Sequence, residues 1–260
     1  MIRRDDRGDW LIIEQTEHAR LAGELAGVWG NERAGLFGLF PKKLVWGVSH
    51  HDDGWCAWDA APRLRPETGF PRSFLEMRMR DSTVIWTRSI AVCSADPLAG
   101  TAVSRHFCHL AEQVRDSGRA DGDDQEAIDR FLHEQSVVQL DLADKARANG
   151  ASAGTNEDLE ESFALGFRTV RFFDRVSLWL CCAPRQQPEQ LVAPLGETVT
   201  FTPKNPAQIA IEPYPLRVDS LLLETPARRL AARCYANDAE LQTALRSAPT
   251  ERLTWTISPA

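Results

Sequence analysis

Prolines at 184, 188, 194, 203, 206, 213 and 215 exclude long helices from the C-terminal part of this chain. The residues before them carry apolar side chains at helical spacing. That pattern predicts helices over 16–29, 41–54, 82–93, 98–117, 124–148 and 157–182. Thr16 suits an N-cap, Gly30-Asn31 a stop, and Pro41 a first turn. Residues 56–74 hold Pro62, Pro66, Gly69 and Pro71 and read as a long irregular loop, a kind often functional in compact proteins. After residue 184, alternating apolar residues predict short strands at 199–202, 208–211, 220–224, 229–235 and 253–257, with one helix at 239–247. Residues 2–13 read as a hairpin turning at 5–9. The expected fold is mainly α. It has a helical body at 15–183 and a small antiparallel sheet from 184–260, which the N-terminal hairpin at 1–14 can join.

The 260 residues carry a formal net charge of −7, with no long block of like charge. Arg3-Arg4, Lys42-Lys43 and Arg228-Arg229 are too small to form the basic patch a nucleic-acid binder needs. They leave room for a pocket that takes a small anion. No apolar run approaches the 18 residues of a membrane span, and the first ten residues lack the apolar core of an export signal. None of the six cysteines is in CxxC spacing, so reduced thiols in the cytoplasm are expected, and a homodimer is compatible.

Five of the six histidines and a few carboxylates are the candidates for chemistry; His133, among Asp129, Arg130 and Glu134, reads as exposed. At about 100° per helical residue, each one's facing follows from its neighbours. His18 lies on the stripe of Leu21, Ala22, Leu25 and Trp29, and His51 on that of Leu44, Val48 and Trp55. His50 and Asp52 flank His51 at about 100° to either side. Asp174 sits in the middle of the stripe Phe163, Phe167, Val170, Cys181. A carboxylate buried there is costly unless a cation or strong donors meet it. Arg171, one turn earlier, is the ordinary partner for such an aspartate. Taken together, His18, His51, Asp52 and Asp174 form an N2O2 set suited to Mn, Fe, Zn or Mg.

On the helix at 98–117, His106 lies about 60° and His109 about 120° from the apolar stripe, so His106 reaches a cavity edge more readily. Arg105 is a candidate anion clamp. Asp53 and Asp59 are candidate proton carriers beside a metal. Trp55 and Trp58 either wall a ligand pocket or cap the core.

His51-Asp52-Asp53-Gly54 resembles the His-Asp-x-Gly signature of the HD-domain superfamily. That resemblance covers about 15–183. It implies a helical bundle whose metal is held by an early histidine, the His-Asp pair and a late aspartate, the places of His18, His51, Asp52 and Asp174. Trp55 stands where catalytic members often carry lysine, and Asp53 where an apolar residue is usual. The segments HHDDGWCAWDAAP at 50–62, VSRHF at 103–107 and DRVSLWLC at 174–181 resemble the bacterial family called domain of unknown function 3891, which implies no activity.

Three functions follow as expectations. One is a metal-dependent hydrolase of a small phosphate ester or nucleotide, with Asp53, Arg105 and His106 at the substrate. The second is an HD-type di-iron oxygenase, in which His106 and His50 join as further ligands; His109, which reads as more solvated, is a candidate substrate or second-metal contact. The third is a metal-stabilised, non-catalytic ligand-binding protein, which Trp55 slightly favours.

Overall fold

The computed structural model describes residues 1–31, 40–149, 155–182 and 187–260. The chain opens with a hairpin, β1 (Ile2–Asp6) and β2 (Asp9–Ile13), turned through Arg7 and Gly8, both at positive φ. Helix α1 (Gln15–Val28) follows, then α2 (Lys42–His50), a single 3-10 turn (Asp53–Trp55) and the short α3 (Cys56–Ala60). The region expected to be an irregular loop holds α3 and a two-stranded ribbon, β3 (Leu64–Arg65) with β4 (Phe70–Pro71). Four longer helices come next: α4 (Met79–Cys93), α5 (Pro97–Asp116), α6 (Gly122–Ala148) and α7 (Asn156–Cys182).

Helix starts follow local chemistry. Asp96 accepts from the N–H groups of Leu98 and Ala99 while Pro97 fills the first turn of α5, and Asp121 accepts from Asp124 N–H at the start of α6. Helix α1 departs from expectation. Thr16 does not cap it; Asp59, arriving from α3, accepts the N–H of Gln15 at 2.7 Å.

The C-terminal part supplies β5 (Glu189–Val192), β6 (Thr198–Asn205), β7 (Gln208–Glu212), β8 (Leu221–Ala231), α8 (Asp238–Ser247) and β9 (Thr250–Pro259). Here the expectation of a mainly α, HD-like bundle with a small antiparallel sheet fails. Seven strands form one sheet in the order β1-β2-β8-β9-β7-β6-β5, curled into a half-barrel. It is mixed, because β7 and β9 run parallel while every other pair is antiparallel. The difference arises from long-range pairing. The N-terminal hairpin docks on β8, with Ile12 opposite Arg228, and what read as two strands around Pro226 is the single β8. Pro226 lies beyond the last β2 pair, where the missing N–H deprives no neighbour on that flank. The expected boundary at 183–184 lies outside the described residues.

The main core runs from the helices into the sheet. Leu11, Ile13, Leu21, Leu25, Trp29, Phe172, Phe173, Phe201, Leu223 and Trp255 belong to it. A second core, around Trp10, Ile12, Leu230, Leu241 and Leu245, lies where α8 covers the opposite face of the hairpin end. Burial on both faces explains why Trp10-Leu11-Ile12-Ile13 shows no polar alternation. Among the described residues, no helix is long and apolar enough to cross a membrane.

Candidate metal centre

Helices α1, α2, α5 and α7 pack on one another and bring four inward stripes together. His18 comes from α1. His51 closes α2, and Asp52 follows it immediately. Asp174 comes from α7 and His106 from α5. Two close backbone approaches set the distances. A Cβ on Gly23 would lie 2.4 Å from Ser49 Cβ, where α1 crosses α2. A Cβ on Gly54 would lie 2.1 Å from the Ile85 carbonyl oxygen, so the turn after the His-Asp pair seats directly on α4. The Gly54 N–H donates to Ser89 Oγ at 2.9 Å, which fixes that seat.

One ligand atom each from His18, His51 and Asp174 lies within 4.8 Å of the other two. Asp52 Oδ2 is 2.7 Å from His18 Nε2 and 3.9 Å from His51 Nε2. Asp174 Oδ1 is 3.3 Å from His51 Nε2, and its Oδ2 is 3.7 Å from His106 Nε2. His18 and His51 are buried, and only Asp174, with 14% of its side chain exposed, opens to solvent.

Hydrogen-bond partners place the protons of this cluster. His51 Nδ1 lies 2.7 Å from the Val48 carbonyl, which only accepts, so Nδ1 carries a proton. In a neutral His51 ring, Nε2 then presents a lone pair towards the lone pairs of Asp174 and Asp52. That arrangement repels unless a proton or a cation lies between. Without metal, the proton stays: burial pulls the His51 pKa down, but the charges of Asp52 and Asp174 override it and raise it to about 9. Burial likewise pushes Asp174 up, and the hydrogen bond and charge of the protonated His51 outweigh it, so Asp174 stays an anion. His106 goes the other way. Burial dominates, lowers its pKa to about 4 and leaves a neutral ring whose Nδ1 has no hydrogen-bond partner.

A divalent cation fits this donor set. Two carboxylates balance its charge, two imidazoles add neutral nitrogen donors, and the His51 Nδ1–H is already held by a backbone carbonyl, as metal-ligating histidines require.

The other expected site residues lie elsewhere. His50 and Asp53 pair with each other at 3.1 Å near the surface, and Trp46 packs on the His50 ring. Arg105 forms a two-pronged ion pair with Glu160, at 2.6 and 2.8 Å, and lies over Phe163 beside a cavity of about 360 Å³. Asp59 is held by the Met1 amine at 2.6 Å and by Gln15, beside a cavity of about 230 Å³. Trp55 is buried in the core, and Trp58 packs against it with the Arg63 guanidinium over its ring. His109 is half-buried against Phe167, and burial, then the charge of Arg171, lowers its pKa. One participant escaped sequence reasoning: Ser177, one turn after Asp174, whose Oγ lies 2.9 Å from His18 Nδ1. Its spacing of three from Asp174 on the inward stripe was the available signal.

No curated protein and no solved structure matches the chain. A family model described as "Protein of unknown function (DUF3891)" matches residues 1–232, and with that share of its length covered the chain belongs to this family.

Proposed function

We propose that the chain binds a divalent cation through His18, His51 and Asp174, with Asp52 beside them, and uses it to hydrolyse a small phosphate ester or nucleotide. The observation that carries the metal-binding part is the meeting of His51 Nε2 with Asp174 Oδ1 at 3.3 Å while Nδ1 is committed to Val48. The order along the chain, an early histidine, a His-Asp pair and a late aspartate, resembles that of HD-domain enzymes and supports the hydrolytic part. Mn, Fe, Zn and Mg all suit mixed nitrogen and oxygen donors. When bound, such a cation brings the pKa of a coordinated water towards neutrality and supplies a nucleophile.

The chain's own groups would do the rest. Val48 keeps His51 in one orientation. His106, neutral beside the Asp174 edge, can take up or release a proton there. Substrate would approach along that edge, where the cluster opens to solvent.

The near-complete burial of His18 and His51 favours a second reading, a cation that stabilises the fold and turns nothing over. Elemental analysis of the purified protein, followed by a phosphate-ester panel with each of the four metals, separates the two. About one ion per chain with turnover supports the hydrolase. One ion with no turnover across the panel leaves the stabilising role. An Asp174→Ala protein with undiminished metal content overturns both, and two ions per chain would point to a dinuclear oxygenase.

A further inference from the structure

His18 differs from His51 in how its ring is held. His51 Nδ1 faces a carbonyl, so only one tautomer of its neutral form is satisfied. Both nitrogens of His18 have side-chain partners: Asp52 Oδ2 at 2.7 Å from Nε2 and Ser177 Oγ at 2.9 Å from Nδ1. Ser177 is itself buried, and its Oγ lies 3.0 Å from the Asp174 carbonyl oxygen on the preceding turn of α7. A hydroxyl has one proton and two lone pairs, and it rotates freely between acceptors.

Two complete arrangements follow. In the first, His18 Nε2–H donates to Asp52, and the Ser177 hydroxyl donates to the bare Nδ1. In the second, Nδ1–H donates to Ser177 Oγ, the hydroxyl turns and donates to the Asp174 carbonyl, and the Nε2 lone pair is free. The ring carries one proton in both: solvent takes the proton that leaves Nε2 and supplies the one that arrives at Nδ1, so no net charge is gained or lost. Only the second offers Nε2 to a cation.

We infer that Ser177 is a positioning residue whose rotating hydroxyl lets His18 pass from the Nε2–H to the Nδ1–H tautomer when a divalent cation occupies the centre. The inference rests on the metal-binding reading above and deepens it. Asp174 and Ser177 then act as one unit of α7. The first would supply a ligand oxygen, and its own carbonyl accepts the hydrogen bond of the turned serine hydroxyl, which keeps its proton.

Threonine and valine have nearly the same shape, so the Ser177→Thr and Ser177→Val variants differ chiefly in the hydroxyl. Zn²⁺ affinity, measured by competition with a chelating dye, is expected to be about 10–100-fold weaker in Ser177→Val than in Ser177→Thr, the usual loss when a ligand's outer hydrogen bond is removed. Equal affinities in the two variants overturn the role of Ser177 while leaving the metal site standing. Wild-type protein that takes up no Zn²⁺ instead overturns the underlying reading and this inference with it. Nitrogen-15 NMR of the His18 ring in wild-type protein needs no variant to fold. The ring proton is expected on Nε2 without metal and on Nδ1 with Zn²⁺. A proton on Nδ1 in both states overturns the switch.

Discussion

At the residue scale, the cluster behaves as opposed charges sharing a dry space, and its pH response follows in sign. Without metal, His51 is held above its ordinary 6.5, at about 9, so the folded state keeps a proton that the unfolded chain releases. The stability this gives is complete below about pH 6.5 and is lost as pH rises through about 9. His106 is held below 6.5, at about 4. The unfolded chain takes up a proton that the folded ring refuses, so stability falls as pH drops from about 6.5 through about 4. Metal-free protein should therefore show its highest melting temperature near pH 6.5, with losses on both sides. A bound cation replaces the His51 proton, so the alkaline loss should vanish in metal-loaded protein. A melting temperature that climbs from pH 7 to 9 without metal would contradict the assignment. Asp174→Ala should weaken metal binding by on the order of 100-fold or more, beyond the range for outer partners. Titration of the purified variant with Mn²⁺ or Zn²⁺ reads this directly.

At the element scale, the centre depends on how closely backbones approach. The 3-10 turn after Asp52 rests on α4 with no room for a methyl group at Gly54, because the obstructing atoms are the Ile85 carbonyl and the Ser89 nitrogen, both backbone. Gly54→Ala must push the turn off α4 or shift α4 itself. Overpacking of this kind costs about 1–3 kcal/mol, and contact with backbone puts the expected loss at the upper end. Because the turn carries His51 and Asp52, metal affinity should fall with it. Urea denaturation and metal titration of the same preparation test both, and a midpoint equal to wild type would show that the seat is loose. The glycine of the His-Asp-x-Gly run thus has a packing reason here.

At the scale of the whole molecule, sheet and helices share one core, and the last strand lies in the middle of the sheet. β9 is flanked by β8 on one side and β7 on the other, and it contributes buried Trp255 and Ile257. The family match ends at residue 232, before α8 and β9. The fold nevertheless needs β9, because its removal separates β1-β2-β8 from β7-β6-β5 and exposes two unpaired edges. A chain ending at residue 248 is expected to be insoluble or to lose cooperative thermal unfolding. A soluble truncated protein with a wild-type melting transition would show that the two halves of the sheet hold without their shared strand.

The helices and their inward faces were legible in the residues themselves. Helical hydrogen bonds and stripes link positions three and four apart, so His18, His51 and Asp174 could be assigned to apolar faces before any coordinates. Asp174 stood out because a carboxylate amid phenylalanines demands a partner. The sheet was not legible in this way. Its ladders join Ile12 to Arg228 and Gln208 to Thr256, and no local period records which strand will lie beside which. The same limit hid the parts played by Asp59, Arg105 and Ser177. Asp59 serves the first turn of α1, Arg105 turns to Glu160, and Ser177 meets a histidine 159 positions away. Periodicity determined which way the polar groups point within their own helices. Only the packing of those helices decided which groups meet, because a hydrogen bond or a cation site is a matter of ångströms between segments that the chain keeps far apart.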